Sequence, residues 1–246
     1  RTARLVREEM PNLLGVHLEG PYFSREYFGC HLEEMIREPQ PAEWRQFEAY
    51  DDVIKEITLA PELPGALDLI GAFSSRGILC SIGHSNASYE AIEQACARGL
   101  RHSTHVFCAM PRAYREDYVL QPGVLETVLM RDDLTTEVIG DAIHVGPRLV
   151  EFAHRIKGTS NLALVSDALR GAGCPPGEYA FGTRNGKICR LLDNPRVGVV
   201  PDRPGVLASS AITLSDSLRI LPAVTVLSLA VVWEIGRASC RERVYI

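Results

Sequence analysis

Short apolar runs recur along the chain, each closed by a polar cluster. They are LLGVHLEGP with Glu19, EITLAPE with Glu62, ILCSIGHS with His84, STHVF with His105, EVIGDAIHV with Asp141 and His144, and LALVSDA with Asp167. Runs of this length bounded by turn-forming residues predict strands buried on both faces of a parallel sheet. Between them the apolar period lengthens to that of a helix. Residues 77–83 read as a strand and Ser85 as a turn or cap. Residues 87–98 then read as a helix, with Ala91, Ile92, Ala95 and Cys96 on one apolar face and Gly99 as the stop. The alternation continues with a strand from Arg101, a helix over 124–130, a strand over 135–140, a helix over 147–157 and a strand over 161–166. Upstream, 41–50 and 64–76 are helix-like on either side of a strand at 54–59. Six strands result, whereas eight close a (β/α)8 barrel. If an α/β barrel is the architecture, two strands are therefore absent. An open doubly wound sheet is the rival, but ligands from so many strands do not ordinarily converge there.

Every candidate ligand sits at the C-terminal end of its strand, where the active sites of such barrels collect. One strand–helix unit separates His84 from His105, which puts them at the ends of adjacent parallel strands. Taken singly, Glu19 reads as a solvated strand end, the two histidines as satisfied core or loop residues, and Asp167 as a turn cap. Taken together, one carboxylate and two imidazoles with a position left for water make a catalytic divalent-metal site. Asp167 beside it is what proton transfer requires. The donor set suits Zn, Fe, Co or Mn equally well. His102 and His154 have no motif around them and read as structural. His17 shares a strand face with Glu19 by the two-residue period and is a candidate support for the ligands.

Composition narrows the classes further. The chain has 246 residues and a net charge of −5 with both signs interspersed, so no basic stripe points to nucleic acid. Its 7 cysteines are scattered without a CxxC pair, which favours reduced thiols and a cytoplasmic location. No signal peptide opens the sequence. The longest uncharged apolar run, 220–233, contains Pro222 and falls short of the roughly 20 residues that span a bilayer. The chain begins at Arg1, close to a strand, so an upstream portion is expected. Residues 234–246 read as translated adaptor sequence, dividing the chain into a barrel domain over 1–233 and a non-native tail over 234–246.

The motifs GVHLEGPYFS, GCH, TLAPE, SIGHSNASYE, THVFCAM, GDAIHV and LVSDALRGAG, in this order and spacing, resemble those of the N-acetylglucosamine-6-phosphate deacetylase family of the amidohydrolase superfamily. The resemblance runs from about Leu14 to Thr213. It implies a (β/α)8 TIM barrel with strands three to eight present, and with the first two strands and a β-sandwich subdomain missing. It implies one divalent metal ion per subunit and hydrolysis of the N-acetyl amide of N-acetylglucosamine 6-phosphate to glucosamine 6-phosphate and acetate. Glu19, His84 and His105 match the family's metal ligands. Asp167 matches the catalytic Asp, a general base that then serves as general acid. His31, in FGCH, matches a residue that polarises the carbonyl or steadies the oxyanion, and His144 one that contacts the sugar or phosphate. Cys30, Cys108, Ala109 and the segment Leu207, Ala208, Ser209 would line the substrate. Arg115 matches a phosphate-binding Arg that reaches a neighbouring subunit's substrate, which implies a homodimer.

Three departures stand out. Cys108 replaces an Asn, Ala142 replaces the Gly of a D-G pair, and Ala208 replaces the Gly of a Gly-Ser-Ser. If that D-G glycine has a positive φ, Ala142 is strained. The REPG segment is interrupted as REDYVLQPG, which weakens the match at Arg115 and leaves related N-acyl amino sugars open. Two further readings stay open: a non-catalytic fragment with open strand edges, and another amidohydrolase such as a dihydroorotase or an amino-acid deacylase.

Overall fold

A computed structural model describes residues 14–180 and 188–242. Its centre is a six-stranded parallel sheet of β1 (Val16–Glu19), β2 (Ile54–Leu59), β3 (Leu79–Ile82), β4 (Leu100–Ser103), β7 (Thr135–Ile139) and β8 (Leu162–Val165), in the order β1-β2-β3-β4-β7-β8. Spatial order follows chain order without reversal, so the sheet is singly wound. A doubly wound sheet would show a switch point where the order reverses. The two remaining strands of this half, β5 (Tyr114–Glu116) and β6 (Val119–Gln121), form a separate antiparallel hairpin.

Five helices lie at the expected positions, the first of them shorter than 41–50, and two more follow that the sequence pattern did not predict. In chain order the helices are α1 (Pro41–Trp44), α2 (Ala66–Ser74), α3 (Tyr89–Ala97), α4 (Val124–Met130), α5 (Pro147–Lys157), α6 (Leu214–Val224) and α7 (Leu229–Glu242). Local chemistry explains their ends. Ser88 caps α3 by accepting the Ala91 N–H at 3.3 Å. Beyond it Gly99 turns the chain at φ +110, where an added Cβ would lie 2.1 Å from Ser74 Oγ. Pro147 opens α5 at a position whose N–H needs no partner. Thr213 and Asp216 form a reciprocal capping box at α6. The boundary expected at 233/234 falls inside α7, where Val232 and Ile235 are both buried.

The sheet differs from the sequence expectation in one respect: its strands are not apolar on both faces. One face packs Ile57, Leu59, Cys80, Ile82, Val138 and Leu164 with helix residues such as Leu69, Phe73, Ile92 and Val150. The other face is polar. There His17 Nε2 meets Thr58 Oγ1 at 2.6 Å, and Thr104 Oγ1 lies 2.6 Å from both Thr58 Oγ1 and Ser81 Oγ. Thr58, Ser81 and Thr104 are nonetheless buried. A buried polar face survives because its groups bond across strands, which removes the desolvation cost of leaving them alone. That pattern belongs to the inside of a curled sheet. Among the causes that set the Asp167 carboxyl, beyond β8, is the charge of Glu19 at the end of β1.

A second sheet follows β8, antiparallel and four-stranded: β9 (Gly177–Ala180), β10 (Ile188–Leu191), β11 (Val197–Val199) and β12 (Leu207–Ser210), in the order β12-β11-β10-β9. It packs its own small apolar cluster of Leu169, Cys189, Leu191, Val200, Ala208 and Ala211. A bridge between Ala168 and Ser210 joins it to the end of β8.

Candidate metal centre

Glu19 closes β1, and the chain then turns at Gly20, φ +81, where a Cβ would press to 2.6 Å on the Phe23 ring. Only glycine fits that turn, which accounts locally for the HLEGP motif. His84 follows β3 and His105 follows β4, both with positive φ, +52 and +30. Phe107 (φ +79), Ala109 (φ +48), Ala142 (φ +59) and Asp167 (φ +46) share that conformation. Non-glycine residues in this region carry strain of order 1–2 kcal/mol each, and such strain clusters at functional sites.

These bends bring three donor atoms into a triangle. Glu19 Oε1 lies 3.0 Å from His84 Nε2 and 3.0 Å from His105 Nε2, and the two nitrogens lie 3.1 Å apart. Ligands about 2.0–2.1 Å from a tetrahedral ion sit roughly 3.3 Å from one another. The triangle therefore matches one face of such a coordination shell to within a few tenths of an ångström. His84 and His105 are buried, while the Glu19 side chain is 30% exposed, so the open side of the triangle faces outward. His84 Nδ1–H donates to the Tyr27 carbonyl at 2.8 Å, which leaves its Nε2 lone pair for an ion. His105 Nδ1 has no hydrogen-bond partner among the described residues.

His31 stands at the rim. Its Nε2 is 3.8 Å from Glu19 Oε1, and its ring packs edge-on against His84 at 4.8 Å. Donor atoms of Glu19, His31 and His84 all fall within 4.8 Å of one another. The Glu19–His84–His105 set is tighter by more than an ångström at its widest, so His31 is the better candidate for contacting a ligand than for holding an ion.

The electrostatics agree. Burial pushes the Glu19 carboxyl upward, but hydrogen bonds from His105, His31 and His84 outweigh it and hold the group well below the carboxylate range. Burial lowers His84 to about 4. On His105 burial also works downward, yet contact with Glu19, followed by the charges of Asp167 and Glu137, raises it to about 9. The protonated form of His105 is thereby favoured beside the Glu19 carboxylate. Burial and then the Glu19 charge raise Asp167 to about 6.

The other expected residues divide into groups. His144 Nδ1 pairs with Asp141 Oδ2 at 2.6 Å, while Asp141 Oδ1 accepts the N–H groups of Ile143 and His144 at 2.8 and 2.9 Å. Asp141 was visible in the sequence without a task; orienting His144 is that task. Glu62 is no ligand, because it accepts Ser85 Oγ–H at 2.8 Å and Asn86 N–H at 2.6 Å and so ties down the loop after His84. The Cys30 thiol donates to the Ala208 carbonyl at 3.0 Å. Burial and the nearby charges of Glu19 and Asp167 push Cys30 to about 12; burial and the charges of Asp167, Asp141 and Glu19 do the same to Cys108. Ser209 Oγ–H bonds the Asp167 carbonyl, and Ser210 N–H reaches the same oxygen at 3.0 Å. β12, with Leu207 partly buried at its start, thereby fixes the Asp167 main chain. Arg203, which the sequence did not single out, donates to the Gly29 carbonyl at 2.7 Å and stacks on Phe28 at 5.0 Å. Arg115 lies apart on the exposed β5–β6 hairpin, donating to the Tyr118 carbonyl at 2.9 Å.

No family model matches the chain. It is 32% identical over 220 residues to the N-acetylglucosamine-6-phosphate deacetylase of Lysinibacillus sphaericus, an overlap of 89% of this chain and 54% of that protein. It is 35% identical over 203 residues to the N-acetylglucosamine-6-phosphate deacetylase of Vibrio furnissii, covering 82% of this chain and 48% of the relative. The crystal structure of the N-acetylglucosamine-6-phosphate deacetylase of Thermotoga maritima superimposes with a TM-score of 0.85 at 29% identity, over 98% of this chain and 63% of that one. The chain spans about half the length of the curated relatives it matches.

Proposed function

We propose, on the premise that the chain is homologous to N-acetylglucosamine-6-phosphate deacetylases over the half of their length it spans, that it carries the metal-dependent amide-hydrolysing centre of an amino sugar phosphate deacetylase. The observation that carries this reading is the triangle of Glu19, His84 and His105 with Asp167 at the same end of the sheet. On it, β1, β2, β3, β4, β7 and β8 are strands three to eight of a (β/α)8 barrel, and β9–β12 are an insertion after the last strand.

Glu19, His84 and His105 would hold one divalent ion of the Zn, Fe, Co or Mn type. Such an ion supplies Lewis-acid chemistry, polarising the amide carbonyl and making water acidic enough to lose a proton near neutral pH. The protein's own groups do the rest. Asp167, raised to about 6, takes the proton of the attacking water as the new C–O bond forms. It then delivers that proton to the nitrogen as the C–N bond breaks, leaving acetate and a free amine. His31 donates to the carbonyl oxygen as negative charge gathers there. His144, locked by Asp141, meets a sugar hydroxyl or the phosphate. Cys30, Cys108, Ala109, Leu207 and Ala208 shape the walls.

Arg115 is read as a phosphate ligand for a neighbouring subunit in a homodimer. Its hairpin supports this, since Tyr118, Val119 and Leu120 on it are 95%, 58% and 60% exposed. A cytoplasmic location fits a metabolic enzyme of this class, and among the described residues no helix is long and apolar enough to cross a membrane.

The test is amine release from N-acetylglucosamine 6-phosphate by the full chain loaded with Zn²⁺ or Co²⁺. Turnover that disappears in Glu19→Gln is expected. A second reading, metal binding without turnover, rests on the outer edges of β1 and β8, which pair with no strand among the described residues. Stoichiometric ion binding with no amine released would establish that reading and overturn the first.

A further inference from the structure

Beneath the triangle lies a chain of buried polar groups to which the proposed chemistry gives no task. Glu56, His102 and Glu137 are 2%, 0% and 3% exposed, and each sits on a different strand of the sheet's inner face. Glu137, in the middle of β7, uses both carboxylate oxygens toward the strand beside it. Oε1 accepts the main-chain N–H of His105 at 3.3 Å, and Oε2 faces His102 Nε2 at 3.4 Å. The Glu137 carbonyl accepts the Val106 N–H at 2.7 Å. His102 is anchored in turn, its Nδ1 meeting Thr135 Oγ1 at 2.8 Å, and its Nε2 lies 4.0 Å from Glu56 Oε1.

This arrangement matters because of where the β4–β7 ladder stops. Its register pairs are His102 with Thr135 and Ser103 with Thr136. Beyond them the chain must leave extended geometry to bring His105 to φ +30. A lone non-glycine residue reverts from such a conformation unless its surroundings hold it. On the β7 side it is Glu137 that does so, gripping residues 105 and 106 through side chain and main chain. A side chain that merely neutralised a buried histidine would not need its second oxygen on a peptide N–H.

We infer that Glu137 is a positioning residue for the metal ligand His105: steadied by His102, its carboxylate holds the His105 main chain in the bend that aims the imidazole at Glu19 and His84. The inference rests on the divalent-ion reading of those three residues. Partners that orient a ligand from behind are worth about 10- to 100-fold in metal affinity, and that is the effect to look for.

The experiment is titration of the ion-free full chain with Co²⁺, with affinity read by chelator competition and geometry by the visible absorption of the bound ion. Glu137→Gln keeps an acceptor oxygen at the same reach. Glu137→Asn keeps the polarity but is one methylene too short, and is milder on the fold than Glu137→Leu. Expected are affinity and spectrum near wild type for Glu137→Gln, with affinity about 10- to 100-fold weaker and a changed spectrum for Glu137→Asn. If Glu137→Asn binds Co²⁺ with wild-type affinity and spectrum, the inference is overturned while the metal site stands. If Glu19→Gln also leaves Co²⁺ binding unchanged, the metal reading itself has failed and this inference falls with it.

Discussion

The Nε2 atoms of His84 and His105 lie 3.1 Å apart and touch the same carboxylate oxygen of Glu19. Two imidazole lone pairs at that distance repel unless a proton or a cation stands between them. Without an ion, His105 supplies the proton, being raised to about 9. A divalent ion must displace it. Binding of Zn²⁺ at pH 7.5 is therefore expected to release about one proton per ion. Calorimetry in two buffers of different ionisation enthalpy measures it directly, and an enthalpy independent of the buffer would remove the proton from this account.

The same group sets how stability depends on pH. His105 is raised from its ordinary 6.5 to about 9, so its contribution is complete below pH 6.5 and is lost as pH climbs toward 9. His84 is lowered to about 4, so stability is lost as pH falls from 6.5 toward 4. Asp167, raised to about 6 from 3.8, runs in the opposite sense to His84 over that acid range. The clear window is therefore the alkaline one. In the presence of chelator the melting temperature is expected to fall between pH 7 and 9, and to fall less in His105→Gln. Equal slopes for the two proteins would count against this assignment.

Much of this was visible in the sequence, for local reasons. The strand at 54–59 and the helices at 124–130 and 147–157 lie where apolar period and end signals put them. Glu19, His84 and His105 were legible because strand–helix spacing fixes which strand ends are neighbours. The inner-face network was not, beyond His17 on the strand face of Glu19. His102 and Glu137 interrupt apolar runs, and nothing local tells a solvated polar residue from one bonded across strands. Strands β5, β6 and β9–β12 have only three or four residues each, and their pairing depends on partners far along the chain. α6 was not read in the sequence: Pro222 argues against a helix there, and the structure carries it inside the helix, two residues before the end.

On the proposed function, Asp167 is the residue on which turnover would depend most. Burial and the Glu19 charge hold its proton up to about 6, and a bound cation favours the ionised form, so the acid limb of kcat/KM is expected at or below pH 6. Asp167→Asn keeps the shape and removes the base. Its kcat is expected to drop by about 10²- to 10⁴-fold, with ion content unchanged. Undiminished amine release by that variant would rule out Asp167 as the proton carrier.

Ala142 offers a stability test that needs no substrate. It occupies φ +59 one residue after Asp141, where the Cβ costs about 1–2 kcal/mol against glycine. Glycine in turn costs roughly 0.4–1 kcal/mol through the freedom it gives the unfolded chain. Ala142→Gly is therefore expected to gain between nothing and about 1.6 kcal/mol, at most a few degrees in melting temperature for a domain of this size. Ala142→Val, with a branched Cβ in the same conformation, should lose more than the alanine does. Urea unfolding of the three proteins ranks them, and the expected order is glycine at or above alanine, with valine last. A valine variant as stable as the parent would mean that the turn holding Asp141 and His144 is not strained at this residue.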